Sequence, residues 1–378
     1  MKGASAAGGI RKERSSNLEL LRLLAMFCIV ANHLVGQGDV LRDASVVNFL
    51  FSFFVGNAAR ISVNVFLIIG CWFMADASFR GSRFVKLWLE ELFYTVILTL
   101  LMVCFYPADV KPNYVIAAFF PVFGYNHWFI SGYLVLILLS PFLKKILEMR
   151  PERLKKLVLL LFAFTCIWSS VRPFENETMD TLVWFCSMFV FAGWYKRQIY
   201  KGGDQGREKS GRGSRGGWLY LFAAAAGYFL LCLLTVRPML GSCGTVMYQA
   251  SVWAGQFLQD YKALPNLLIA FCVFRFFLGL EIGSRRWINF FSTSTLAVYI
   301  VHQVPVFTLF LWKQLVRIPD HLNSPAWPVY MVGAILYMFL AITLLDKFRE
   351  ELLEKPLMKT GPVQKACRML EAFYGDLI

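Results

Sequence analysis

Ionisable side chains recur along one face of an otherwise apolar stretch near the start of the chain, residues 17–34 (NLELLRLLAMFCIVANHL). Arg22 and His33 are eleven residues apart, close to three helical turns, so a helix places both on one face about 16 Å apart along its axis. Glu19 precedes Arg22 by three residues and can pair with it. Because imidazole titrates near neutral pH and is the usual general base, this face indicates acid–base chemistry centred on His33.

Ionisable side chains are rare inside membrane helices, because placing an Arg at the centre of a span costs about 2.5–3.5 kcal/mol of free energy. Two explanations for these side chains are possible. One reason is function, in which the face lines the interior of a bundle or a watery cavity. The other is anchoring, in which Arg22 reaches towards the inner interface and His33 towards the outer one. The residues alone leave both interpretations open.

A second cluster of cations follows in the segment FRGSR, residues 79–83. Arg80 and Arg83 are three residues apart near a helix end, so they can present two guanidinium groups to phosphates together. Lys86 extends the cluster on the same face. The alternative is the ordinary excess of Lys and Arg on the cytoplasmic side of a membrane protein.

Further candidates lie later in the chain. His302 has Tyr299 one turn before it, and either can be a second site residue or a structural one. Trp128 and Tyr261, among several aromatic residues at the outer ends of predicted spans, can stack on a sugar or belong to the interfacial aromatic belt. The four histidines show no metal-ligand spacing, so we predict no metal site.

The elements that must position these residues are membrane helices. The chain has 378 residues, of which 58% are hydrophobic and only 16% charged, and its mean hydropathy is +0.56. Soluble domains carry about 25% charged residues. Since a soluble fold could not bury this much apolar surface, we predict an all-α, polytopic transmembrane bundle.

Apolar runs long enough to cross a bilayer predict about ten spans. The segment 47–59 is also apolar, and we predict that it forms a separate helix in the outer interface. The predicted spans are residues 17–36, 60–77, 88–106, 127–147, 155–171, 180–195, 218–236, 264–282, 287–311 and 327–346.

The distribution of Lys and Arg predicts the orientation. With both termini cytoplasmic, the cytoplasmic segments hold 28 of the 38 Lys and Arg residues and the outer segments eight. Topology thus explains the net charge of +14, and we predict no nucleic-acid partner. The expected location is the inner (plasma) membrane, crossed many times. The outer eight are Arg42, Arg60, Lys111, Arg172, Arg237, Lys262, Lys313 and Arg317.

We expect one membrane domain with polar segments around it. Residues 1–16 are expected to form a basic cytoplasmic tail, residues 17–346 the transmembrane domain, and residues 347–378 a cytoplasmic C-terminal segment. Within the domain, residues 201–217 (KGGDQGREKSGRGSRGG) are Gly-rich, basic and polar, which is typical of a flexible cytoplasmic loop.

Several segments, taken in order, resemble the membrane acyltransferase-3 family, integral-membrane O-acyltransferases of bacterial glycans. Residues 17–34 are similar to its first span, in which Arg is followed by ten residues and then His, and FRGSR is similar to its cytoplasmic R-x-x-R motif. The segment ISVNVFLIIGCWFM (61–74) resembles the second span, although Gly70-Cys71-Trp72 stands where the family usually has Ser-Gly-Tyr. NHWFISGYLVLILLSPFL (126–143) and STSTLAVYIVHQVPVF (292–307) resemble later spans.

The resemblance implies transfer of an acyl group, usually acetyl, from cytoplasmic acyl-CoA to a hydroxyl of an extracytoplasmic glycan or lipid-linked sugar. The implied partners are acyl-CoA as co-substrate, the carbohydrate acceptor and the lipid bilayer, with no permanently bound cofactor. The alternative from another class is a transporter or flippase of a lipid-linked glycan, which would use the polar face of residues 17–34 as a substrate path.

The resemblance also implies roles for the residues. His33 would act as the general base or, in a variant mechanism, as a covalent acyl carrier, with Arg22 and Glu19 in the supporting polar network. Asn32 would help to polarise the carbonyl, although it sits about 100° from His33 around the helix. The phosphates of acyl-CoA would be bound by Arg80, Arg83 and Lys86.

Overall fold

The structure of the protein is a computed structural model that describes residues 16–120, 127–171, 177–200, 215–236 and 260–375. Throughout these ranges the regular structure is helical and no strand occurs, which confirms the all-α prediction. Most of the predicted tail and of the predicted flexible loop, residues 1–15 and 201–214, lies outside the described residues.

The main helices are α1 (Asn17–Gln37), α2 (Val46–Met74), α3 (Gly81–Phe105), α4 (Trp128–Leu147), α5 (Pro151–Val171), α6 (Glu177–Tyr200), α7 (Arg215–Val236), α8 (Leu264–Leu278), α9 (Arg286–Ser292), α10 (Thr295–Gln303), α11 (Pro305–Leu309), α12 (Trp327–Arg349) and α13 (Gly361–Tyr374). Shorter helical segments are Val40–Asp43, Pro107–Asp109, Pro112–Ala118, Phe310–Leu315, Ile318–His321, Glu350–Glu354 and Lys355–Leu357.

The helix α1 lies at the centre of the bundle, where it packs along α2 and also contacts α8, α9, α10 and α12. The polar face of α1 is therefore surrounded by protein.

Six helices in the described part of the chain are long and apolar enough to cross a membrane, namely α1, α2, α3, α4, α7 and α12. The number becomes seven if the bent pair Arg286–Gln303 and Pro305–His321 is one span. The protein is therefore a multi-pass membrane protein, as predicted. The count of ten spans and the cytoplasmic position of both termini stay predictions.

The prediction of a separate interfacial helix at 47–59 is wrong, because α2 runs through this segment without a break. Asn57, a residue that often ends a helix, instead donates its side-chain amide to the carbonyl of Phe53 at 2.8 Å, within the same helix. Arg60, which the charge count assigned to an outer segment, therefore lies at the midpoint of a helix that can span the membrane.

The segment predicted as one span at 287–311 is broken, and its two parts meet at an angle of 78°. Pro305 has no backbone N–H and its ring excludes a continuing helix, so α10 ends at Gln303. The Thr308 hydroxyl lies 3.2 Å from the carbonyl oxygen of His302 and 2.9 Å from that of Val304, and it donates to carbonyls near the break. The break leaves His302 in the last turn of α10.

The last helix, α13, folds back onto the beginning of α3, beside the segment FRGSR. The Glu371 carboxylate accepts a hydrogen bond from the backbone N–H of Gly81 at 2.8 Å, and the Tyr374 hydroxyl donates to the carbonyl of Leu138 at 2.7 Å. Position 81 requires glycine because an added Cβ would collide with the carbonyl oxygen of Cys367. The helix α13 therefore ties the start of α3 to α4.

Candidate active site

A cavity of about 80 Å³ lies between α1, α2, α4 and α10. Its apolar wall consists of Met26, Ile29, Ala59, Val63, Phe66, Phe129 and Leu296. Its polar and aromatic wall consists of Asn32, His33, Arg60, Trp128, Tyr261 and Tyr299. Four of these six were predicted site residues, whereas Arg60 was assigned to an outer segment and Tyr261 was considered only as one of several outer aromatic residues.

His33 is hydrogen-bonded to His302, whose side chain is fully buried. Nδ1 of His33 lies 2.8 Å from Nε2 of His302, and Nδ1 of His302 lies 2.5 Å from the carbonyl oxygen of Val298. A carbonyl oxygen only accepts, so Nδ1 of His302 carries the proton and its Nε2, in the neutral ring, is the acceptor. His33 therefore donates through Nδ1, and its Nε2 holds the lone pair that a general base needs.

The chain beyond the break at Pro305 returns to α1 and supports this histidine pair. The Trp312 ring lies edge-on to His302, with ring centroids 6.2 Å apart. Its indole Nε1 donates to Oε1 of Gln37 at 2.7 Å, one helical turn beyond His33. Trp312, which follows the break, therefore contacts both His302 and the α1 residue Gln37.

A second buried histidine, His127, neighbours the cavity residue Tyr299. Nδ1 of His127 is 3.3 Å from Oε1 of Glu91, and neither side chain is exposed. The centroid of the Tyr299 ring is 5.8 Å from that of His127 and 6.5 Å from that of His33. Glu91 was not among the predicted site residues, although an acidic residue inside an apolar run of this length itself indicates a functional group or a buried partner.

The aromatic part of the wall is a stacked pair. The rings of Trp128 and Tyr261 have centroids 5.3 Å apart and planes inclined by 23°. The buried amide of Asn64 donates to the carbonyl of Tyr261 at 2.5 Å and accepts from the indole of Trp184 at 3.1 Å. Asn64 therefore joins α2 to α6 and fixes the backbone that carries the tyrosine.

Glu19 and Arg22 form the ion pair that their spacing predicts, with Nη1 of Arg22 2.8 Å from Oε2 of Glu19. The guanidinium carbon of Arg22 lies 5.9 Å from the ring centroid of Phe66, which lines the cavity. Neither Glu19 nor Arg22 lines the cavity itself. The ion pair therefore lies outside the cavity wall that contains His33, and Arg22 neighbours that wall at Phe66.

The predicted phosphate ligands lie at the start of α3, the end of the bundle that also holds Arg22. Arg80 and Arg83 are exposed there. Nζ of Lys86, in contrast, is 2.6 Å from Oε1 of Glu354 and 3.8 Å from Oε1 of Glu350. The lysine charge is thus already paired within the protein, whereas the two arginines are open to a ligand from solvent.

A buried charge network that was not predicted from the sequence joins α3 to α12 next to Lys86. Arg349 donates to Oδ1 of Asp346 at 2.9 Å and to Oε2 of Glu354 at 2.7 Å. The Tyr94 hydroxyl donates to the same Asp346 oxygen at 2.9 Å, and Oε2 of Glu90 lies 3.8 Å from Arg349. One guanidinium therefore holds three carboxylates together, which fixes the position of α12 on α3.

Comparison with known proteins agrees with the resemblance seen in the sequence. The model of a family described as an acyltransferase domain, of the acyltransferase-3 type, matches residues 15–346. No curated protein and no solved structure matches the chain. The matched range contains every residue of the cavity wall and ends at Asp346 of the buried charge network.

Proposed function

Because the chain belongs to the acyltransferase-3 family of membrane proteins, we propose that it transfers an acyl group, acetyl by preference, from cytoplasmic acyl-CoA to a hydroxyl of an extracytoplasmic glycan or lipid-linked sugar. The single observation that carries the proposal is that His33, hydrogen-bonded to the buried His302, lies on the wall of a largely apolar cavity. Such a base is needed because an alcohol must lose its proton as it attacks a thioester.

In the proposed reaction, the acceptor hydroxyl lies at Nε2 of His33. Nε2 takes the hydroxyl proton while the oxygen attacks the thioester carbonyl carbon, so that an O–C bond forms and the C–S bond breaks. The proton then passes to the sulfur, the products are an ester and free CoA thiol, and His33 is neutral again. While His33 is protonated, its bond from Nδ1 to His302 is charge-assisted and therefore stronger.

The donor is proposed to enter at the other end of the bundle. Arg80 and Arg83 would hold its phosphates, and Lys86 would contribute less because Glu354 already pairs with it. The proposed topology, ten spans with both termini cytoplasmic in the inner (plasma) membrane, puts these arginines on the side where acyl-CoA is found.

Three residues between the two ends have supporting roles in this proposal. Arg22, held by Glu19, would orient the acyl-pantetheine arm on its way past Phe66 to the cavity. Asn32 would donate its amide to the thioester carbonyl, since it lines the same cavity as His33.

The proposal is tested with the full chain in detergent, by measuring acetyl-CoA binding and turnover in the presence of envelope glycan. His33→Ala is expected to bind acetyl-CoA normally and to lose about 10²–10⁴-fold in turnover, the usual contribution of a positioned base. His321→Ala is the matched control, because His321 stacks on Tyr330 and does not line the cavity.

Arg80→Ala/Arg83→Ala is expected to raise the Kd for acetyl-CoA at least about tenfold, because charge-assisted contacts to phosphate are lost. Arg153→Ala/Lys156→Ala removes two exposed cations at the same spacing and should leave Kd unchanged. Folded wild-type protein without any affinity for acetyl-CoA would contradict the proposal. Movement of a lipid-linked glycan without acetyl-CoA turnover would instead favour the flippase.

A further inference from the structure

We infer that the helix α13 is a membrane-surface anchor that binds anionic lipid headgroups on the side of the membrane where Arg80 and Arg83 lie. The helix follows the range that the acyltransferase model matches, residues 15–346, so the family match does not account for it. The inference goes beyond the proposed acyl transfer and does not depend on it. Three features carry it: the faces of the helix, its fixed place on the bundle and its charge.

The side chains of α13 form three faces, because residues three, four and seven positions apart lie on one side of a helix. The face towards the bundle, whose side chains are buried or half-buried, consists of Val363, Cys367, Leu370 and Tyr374. The next face, which is apolar and exposed, consists of Pro362, Ala366, Met369 and Phe373. Beyond it lie two exposed cations, Lys365 and Arg368. The helix therefore presents an apolar surface and positive charge outside the bundle.

Two large apolar side chains of α13 are mostly exposed. Met369 is 64% exposed and Phe373 75%. A helix with Lys and Arg beside such an apolar face is typical of helices that lie in the plane of a membrane interface. Their apolar face reaches about 5–10 Å into the boundary between headgroups and acyl chains. Lipid is therefore the partner that fits this face.

The bundle holds α13 at the end of a helix that is long and apolar enough to cross the membrane. The Tyr374 hydroxyl donates to the carbonyl of Leu138 in α4 at 2.7 Å. The Tyr374 ring also contacts that of Phe142 in α4, with centroids 5.9 Å apart. Phe142 is itself 46% exposed and lies near the end of this span. The exposed face of α13 therefore lies beside the lipid-facing surface of α4, at one surface of the membrane.

The charge of α13 indicates which lipids it meets. Its single acidic residue, Glu371, accepts a hydrogen bond from the backbone N–H of Gly81 at 2.8 Å and so points towards the bundle. Lys365 and Arg368 are left to define the charge of the outer surface. Anionic headgroups attract such cations, and each one near the surface strengthens binding about fivefold. An anionic phospholipid therefore fits better than a zwitterionic one.

The contact with lipid is tested by photocrosslinking of the full chain in nanodiscs that contain phosphatidylglycerol and phosphatidylcholine. Phe373→p-benzoylphenylalanine is expected to crosslink to lipid, which adds the mass of a lipid to its peptide. Gln364→p-benzoylphenylalanine is the matched control, because this exposed position lies about two and a half turns earlier and so on the opposite side of α13. Equal yields of lipid adduct at the two positions, or a crosslink from position 373 to a second copy of the chain, would overturn the inference.

The preference for anionic lipid is tested by the rate at which maleimide modifies Cys367. This residue lies on the bundle face and is 5% exposed, so the reaction requires α13 to leave the bundle. The rate is expected to be about 5- to 30-fold lower in nanodiscs with phosphatidylglycerol than in nanodiscs of phosphatidylcholine alone, because Lys365 and Arg368 hold the helix on the anionic surface.

Matched variants assign this difference to the two cations. Lys365→Gln/Arg368→Gln should abolish the difference between the two lipid compositions. Arg153→Gln/Lys156→Gln removes two exposed cations at the same spacing on α5 and should retain it. Equal rates for the wild type in both lipids, or a difference that survives Lys365→Gln/Arg368→Gln, would contradict the binding of anionic lipid. Neither readout requires acyl-CoA or an acceptor, so failure of the proposed acyl transfer would leave both tests informative.

Discussion

Replacement of His302 tests how the proposed base is held. Nε2 of His302 accepts the Nδ1 proton of His33 at 2.8 Å, which leaves Nε2 of His33 unprotonated. Phenylalanine at position 302 keeps a planar ring but offers no acceptor. Glutamine offers an amide oxygen that can accept from His33 and an amide N–H that can donate to the carbonyl of Val298, so it is the matched conservative variant.

The size of the effect follows from the charge that His33 carries while it holds the acceptor proton. A hydrogen bond to a charged group contributes about 1.5–3 kcal/mol, and about 1.4 kcal/mol corresponds to a factor of ten in rate. His302→Phe should therefore lower kcat roughly 10- to 150-fold. The Kd for acyl-CoA should not change, because its proposed phosphate ligands, Arg80 and Arg83, lie at the other end of the bundle.

The assay is single-turnover release of CoA thiol from acetyl-CoA in the presence of envelope glycan. His302→Gln should retain more activity than His302→Phe. In the double variant His33→Ala/His302→Phe, the second change should add no further loss, since both residues act through one base. A folded His302→Phe protein that turns over within about threefold of wild type would refute the assigned tautomer and the role of the pair.

Three further predictions concern the residues that hold the site in place. Arg349→Met should destabilise the protein by about 3–5 kcal/mol, because Asp346, Glu354 and Glu90 lose their shared cation, and the measurement is a lower Tm in detergent. The control Lys347→Met removes a partly exposed ion pair with Glu350 and should cost less than about 1 kcal/mol, so equal shifts in Tm would contradict the reasoning. Gly81→Ala should displace α13 and expose the buried Cys367 to maleimide, measured by peptide mass spectrometry, whereas Gly361→Ala, which has open space around it, should leave Cys367 protected. Asn64→Leu should raise the acceptor KM without changing the Kd for acyl-CoA, because it releases the backbone of Tyr261 and leaves the Trp184 indole without its acceptor; an unchanged KM would show that the aromatic pair does not bind the acceptor.

Helical periodicity correctly predicted the part of the site that lies on a single helix, because it depends only on residues close together in the sequence. The spacing of Glu19, Arg22 and His33 is set by 3.6 residues per turn, and the observed ion pair has the predicted partners. The partner of His33 could not be predicted in this way, since His302 is 269 residues away and no sequence period connects the two. Only the packing of α10 against α1 brings them together.

The misplacement of Arg60 has a physical cause in tertiary packing. The segment 47–59 was separated from the next span because it is itself apolar, and Gly56 and Asn57 within it are weak helix formers. In the structure, α2 packs against α1 at this point, where the side chain of Val35 lies 3.5 Å from the position of an added Cβ at Gly56, and α2 continues through the segment. Contacts of this kind override propensity and are not visible in the sequence.

Two other features differ in how far they could have been predicted. The break before Pro305 could have been predicted from the sequence, because a proline in the interior of a helix removes a backbone donor and clashes with the preceding turn. The pairing of Lys86 with Glu354 could not have been predicted in this way, because Glu354 was assigned to the cytoplasmic C-terminal segment, whereas the helical extension of α12 places it beside α3.

The most direct test of the central claim is sided acyl transfer by the full chain in proteoliposomes. Acetyl-CoA labelled in the acetyl group is supplied only on the side where Arg80 and Arg83 are exposed, and the envelope glycan acceptor is present only on the opposite side. The account predicts base-labile label on the glycan across the membrane, lost in His33→Ala and retained in His321→Ala. Folded wild-type protein that leaves the glycan unlabelled, with acetyl-CoA intact, would contradict it.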